Sequence, residues 1–217
     1  MNIKYIGICG TKGSGKTTAA NIIINELERN GNTVVVLPFA QGIKQILATV
    51  VSMINNMSYN EALKYFITPE LKEVIIPKIN ATARNMMIAF GTDFVRSINN
   101  DLWIEYIQNE LDKIAYDYDV ENLYVIFDDI RFENEHNFVQ DNLNGIMFYI
   151  TRDKWEFSKN IFVKAVRYIG RYKKHKSEYG VHHLCNSESS KILNLTTKEE
   201  LAEKVLNKLY EDKNDNT

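Results

Sequence analysis

A three-layer α/β fold, with five parallel strands between helices, is what the order of apolar runs in this 217-residue chain predicts. Five runs rich in β-branched and aromatic residues, Ile3 to Cys9, Thr33 to Leu37, Leu123 to Phe127, Ile146 to Ile150 and Lys191 to Leu195, have the length and continuity of strands buried on both faces. Helical patterns lie between them, and that alternation builds parallel sheets. A glycine-rich turn joins the first strand directly to the first helix.

That turn, Gly10-Thr11-Lys12-Gly13-Ser14-Gly15-Lys16-Thr17, fits the phosphate-binding pattern GxxxxGK[ST]. Gly10, Gly13 and Gly15 let the backbone curl so that the amides from Thr11 through Ser14 and on to Thr18 point at phosphate oxygens. Lys16 is placed to reach the β- and γ-phosphates, and the Thr17 hydroxyl to ligate Mg²⁺. The helix that follows offers its positive N-terminal end to the same anion. A plain Gly/Ser turn would not require a strand before it and a helix after it, and both are present.

The first helix carries Ala20, Ile23, Ile24 and Leu27 on one side and stops at Asn30-Gly31. A long helical stretch follows, residues 41–118, with breaks near Thr68-Pro69, Ile76-Pro77 and Asn99-Asn100-Asp101. An excursion at the carboxyl edge of an α/β sheet is where a second substrate docks. The last helix opens with Thr197 and Glu200 at capping-box spacing and buries Leu201, Val205 and Leu209, and residues 211–217 form a polar tail.

Composition is that of a globular chain, with 45% hydrophobic and 25% charged residues, which excludes a disordered or fibrous class. With Lys+Arg 26 against Asp+Glu 28, overall charge nominates neither a nucleic acid nor a membrane. Cys9 and Cys185 lack disulfide or zinc spacing and read as free thiols. No apolar run reaches the length of a membrane span, so a soluble cytoplasmic protein is expected.

Three further stretches carry chemistry. The run from Leu123 ends in Asp128-Asp129-Ile130-Arg131, the form of a second Mg²⁺-organising strand end; the competing reading is an Asp pair capping a helix near Phe132. Residues alone do not separate Asp128 from Asp129. Between Arg152 and Lys176 nine lysines and arginines face two acidic residues, which suits a lid over transferring phosphates, with Arg152, Arg167 and Arg171 as candidates. A solvated charged helix or a nucleic-acid patch would show the same excess. Third, Ala81 to Trp103 places Arg84, Asp93, Arg96 and Trp103 near helix ends around Gly91, where an Asp93/Arg96 surface pair is the plainer reading. His175, His182 and His183 have no ligand-like partners in sequence and read as non-metal residues.

In this order the stretches GTKGSGKTT, FAQGIKQIL, TARNMMIAFGTDFVRSINNDLW, YVIFDDIRFENE, HKSEYG and ILNLTTKEEL resemble those of the bacteriophage-type deoxynucleoside monophosphate kinases, a branch of the P-loop nucleoside monophosphate kinase superfamily. The resemblance implies a single P-loop NTPase domain over residues 1–217, an acceptor-binding helical insertion at 41–118 and a basic lid at 152–180. It implies ATP-dependent phosphorylation of a deoxynucleoside monophosphate, with Mg²⁺, for supply of DNA precursors. Asp129 and Arg131 take the family's Asp and Arg positions, which leaves Asp128 as the extra carboxylate. Lys16 with Arg131 and the lid arginines would stabilise the transferring group, and Arg84, Asp93, Arg96, Trp103 and Arg131 would lie near the acceptor. Asn194 and Thr196 would face adenine. No stable nucleic-acid binding and no membrane association are expected, and homodimerisation is left open. Another small acceptor, such as dephospho-coenzyme A, a nucleic-acid-stimulated ATPase, or a nonenzymatic nucleotide-binding interaction module stand as the alternatives.

Overall fold

The computed structural model describes residues 2–11, 13–152, 191–194 and 197–214. It divides into two compact units, Met1–Pro38 with Tyr116–Thr217, and Phe39–Ala115.

The first unit is built on a sheet of five parallel strands: β1 (Asn2–Cys9), β2 (Thr33–Val36), β5 (Asn122–Ile130), β6 (Ile146–Thr151) and β7 (Lys191–Leu193), in the order β2-β5-β1-β6-β7. The two short strands β3 (Ile75–Ile76) and β4 (Ala81–Thr82) belong to the second unit. All five predicted strands are present. Hydrogen bonds carry two of them further: the Leu37 amide donates to the Ile126 carbonyl at 2.9 Å, and the Asn194 amide to Thr151 at 2.7 Å. Because β1 is central, its carboxyl end opens between two neighbours, the position where parallel α/β sheets present loops to ligands.

Helices α1 (Lys16–Arg29) and α8 (Lys198–Asn214) cover one face. Ile23 and Leu27 of α1 meet Leu201, Val205 and Leu209 of α8 over Ile6, Ile8, Ile126, Phe148 and Ile150. All of these are nearly or fully removed from water, and burial of each large aliphatic side chain contributes about 1.5–3 kcal/mol. Glu26 ties the two helices at their far ends: it accepts from the Tyr210 hydroxyl and from Asn30 Nδ2 at 3.0 Å. Leu123, Val125, Phe127 and Tyr149 are buried as well. The sheet is therefore flanked by helices, as an α/β fold requires.

β5 runs three residues beyond the predicted end and takes in both aspartates. Gly7 pairs with Phe127 and Cys9 with Ile130, so β1 advances two residues while β5 advances three. This is a β-bulge, one extra residue opposite Ile8, and it falls on Asp128-Asp129.

The second unit contains α2 (Gln41–Asn55), α3 (Tyr59–Ile67), a short antiparallel hairpin of β3 (Ile75–Ile76) and β4 (Ala81–Thr82), α4 (Ala83–Met87), a wide π-type run at Ile88–Val95, α5 (Arg96–Ile98) and α6 (Leu102–Asp117). The predicted breaks at Thr68-Pro69 and Asn99-Asn100-Asp101 fall between these elements, whereas Ile76-Pro77 marks the end of β3 inside a hairpin that, like the widened turn, the sequence pattern does not reveal. Ser58 caps α3 and its Glu61 returns the bond, at 2.9 Å to the Ser58 amide. Leu47, Ala48, Val51, Ala62, Phe66, Ile76 and Ala83 form the core of this unit.

Candidate phosphate-binding site

Three glycines set the loop after β1. Gly10 has φ 149° and Gly15 φ 105°, both in the region that side chains disfavour, and Gly13 shares it at 75°. At Gly10 space demands glycine too, because a Cβ would lie 2.1 Å from the Ile150 carbonyl oxygen of β6. The loop is thus pressed against the sheet, and its Ser14 amide closes back on the Thr11 carbonyl at 3.2 Å.

Gly15 serves as the N-cap of α1, with no side-chain cap and no acidic residue in the first turn. The first amides of a 14-residue helix are therefore not supplied by a capping side chain. Thr17 stands exposed in that first turn and Thr18 is half-buried. The Ser14 hydroxyl is buried without a hydrogen-bond partner among the described residues. Buried polar atoms are rarely left so, and a ligand oxygen in the loop would satisfy it.

Lys16 is largely buried and its Nζ donates to the Gly10 and Thr11 carbonyls, both at 2.8 Å. Burial first, and then the Arg131 guanidinium, lower its ammonium pKa from the ordinary value to about 8. Cys9, Asp129 and Asp128 act in the opposite sense, in that order. Lys16, both aspartates and Arg131 therefore share one electrostatic neighbourhood, although more than a hundred residues separate Lys16 from the other three in sequence. Asp128 and Asp129 are both half-buried in the bulge.

Arg131 is positioned by a residue that sequence reasoning passed over. Glu135 of α7 (Glu133–Asn137) is buried, and its Oε2 accepts from the Arg131 amide at 2.8 Å and the Phe132 amide at 3.1 Å. The helix start at Phe132 is therefore served by Glu135. Its spacing from Phe132, three residues, is a capping-box spacing and was the available signal.

Asn194, expected at the base, places its side-chain amide on the Ser14 carbonyl at 2.8 Å. Arg152 is exposed immediately after β6. Lys12, Thr196, Arg167 and Arg171, with the basic segment beyond Arg152, lie outside the described residues, as do His175, His182, His183 and Cys185.

In the second unit Arg84 pairs with Glu73, and Arg96 Nη1 donates to the Asn100 carbonyl at 2.9 Å. Asp93 is exposed. Trp103 is 2% exposed and its indole N–H is bound to the Gly91 carbonyl at 3.0 Å, inside the widened turn. Its ring packs with Phe90, and this tryptophan orders the segment that carries Asp93 and Arg96.

Among the described residues no group of three or more His, Cys, Asp or Glu side chains could hold a metal ion. A Mg²⁺ bound with nucleotide phosphates needs fewer protein ligands than such a group supplies. No helix of the described residues is long and apolar enough to cross a membrane. Compared with known protein-family models and with curated proteins, the chain matches none.

Proposed function

We propose that the chain is a P-loop kinase that transfers the terminal phosphoryl of ATP to a deoxynucleoside monophosphate. The observation that carries this reading is the gathering of Lys16, Asp129, Asp128 and Arg131 beside an uncapped helix N-terminus. An acceptor phosphate already has nucleophilic oxygens at neutral pH, so transfer needs no strong base. What it needs is positioning and neutralisation of charge. The loop amides and Lys16 would hold the donor phosphates, and Arg131 would lie against the transferring group. Thr17 and Asp129 would hold a Mg²⁺ ion, which would supply positive charge against that of the phosphates. The choice of a deoxynucleoside monophosphate rests on the resemblance of two stretches, one around Gly91, in the unit that also carries Arg84 and Arg96, and one around Arg131, in the first unit.

The test is ADP release in a coupled assay with each deoxynucleoside monophosphate in turn. At least one should stimulate ADP formation, and Lys16→Ala should abolish the stimulation. ADP formation indifferent to every one of them would overturn the acceptor assignment.

A further inference from the structure

Asn194 lies 180 residues from Ser14 in sequence, yet its side-chain amide is 2.8 Å from the Ser14 carbonyl oxygen. Because that partner is an acceptor only, the amide nitrogen must face it. Asn194 is itself held, since its backbone amide donates to Thr151 at the end of β6 and its side chain is buried. The contact is close: a Cβ on Gly15 would fall 2.4 Å from Asn194 Nδ2.

A trans peptide is planar, with its C=O and N–H pointing in opposite directions. The Ser14–Gly15 peptide has its carbonyl fastened to Asn194, so the Gly15 N–H is aimed away from Asn194. We propose that Asn194 is a positioning residue for the phosphate loop, which orients the Gly15 amide toward the polyphosphate of the bound nucleotide. Its contribution is then to phosphate affinity and is independent of the base. This inference rests on the reading of the loop as a nucleotide phosphate site.

Inorganic tripolyphosphate, which has no base, separates the roles. Titration calorimetry of the full chain should show both tripolyphosphate and ATP binding about tenfold more weakly to Asn194→Asp and Asn194→Ala, the scale of one lost buried hydrogen bond. The Asp variant keeps the shape and loses the donor, and the Ala variant loses the donor without adding charge. In turnover, KM for ATP should rise while KM for the acceptor stays unchanged, a split that general loss of structure would not produce. The Gly15 amide resonance should respond to tripolyphosphate in the wild type and respond less in either variant. If the variants bind tripolyphosphate as the wild type does, whether or not ATP is weakened, the positioning role is overturned. If the wild type binds neither ligand, the phosphate-site reading itself fails.

Discussion

Ile130 packs against the open side of Gly7, where a Cβ would lie 2.7 Å from its Cδ1, whereas Ile126 faces the opposite core with Ile6 and Ile8. Four residues apart in a regular strand, the two isoleucines would share a face. The extra residue at Asp128-Asp129 reverses the alternation and lets the strand bury Ile130 while both carboxylates remain half-buried. The bulge is what places two adjacent carboxylates at this end of the strand.

The two carboxylates should therefore be separable. Asp129 acts on Lys16 more strongly than Asp128 does. Asp129→Asn is expected to lower kcat by on the order of a hundredfold and to raise the Mg²⁺ concentration for half-maximal rate, with Asp128→Asn doing less on both counts. Mg²⁺ titrations of the two variants check the ranking, and a reversed order would assign the metal to Asp128.

Glu135 gives a second prediction. Glu135→Ala would leave the Arg131 and Phe132 amides without their acceptor, a loss of about 1–3 kcal/mol on thermal or urea unfolding. Glu135→Gln keeps a carbonyl oxygen and should recover most of the stability. Equal losses in both variants would show that the negative charge, and not the acceptor geometry, is what the turn requires.

The strands were legible because β-branched runs buried on both faces have no polar alternation to confuse them, and the loop because three glycines occupy left-handed backbone. The bulge was not legible. Two aspartates after Phe127 look like a strand end, and only the register against Ile8 shows that the strand continues. The β3–β4 hairpin was hidden for a different reason: its arms are two residues each, and Pro77 with left-handed Lys78 and Asn80 reads locally as a break. The Asn194 contact has no local signature at all, since it depends on β7 lying beside β6.

At Gly10 backbone strain and packing act together. Gly10→Ala would push a methyl into the Ile150 carbonyl, which is backbone of a central sheet and cannot rotate aside. The expected cost is about 1–3 kcal/mol or more, measurable by denaturant unfolding. Gly13→Ala meets nothing within 4 Å and carries only the strain of its φ, so it should cost less. A Gly10→Ala variant as stable as wild type would mean that the loop can lift off β6.

The buried ammonium of Lys16 makes the site dependent on pH in a direction that can be worked out. Its folded pKa, about 8, lies below the ordinary value near 10.5 because burial and Arg131 disfavour the charge. Between these values the unfolded chain holds the proton more tightly than the folded one, so stability rises with pH through that window. The cost of the buried charge is fully present below about pH 8 and fades as pH climbs toward 10.5. Compared with Lys16→Met, which has no proton to release, the wild type should gain stability as pH rises from about 8 toward 10.5, seen as a changing difference in Tm. Phosphate binding reverses the preference, since a bound anion favours the ammonium. kcat/KM for ATP should therefore decline above about pH 8, with kcat itself declining at higher pH because the bound polyphosphate raises the pKa. A stability difference that stays flat over this range would show that Lys16 keeps its proton in the unliganded fold.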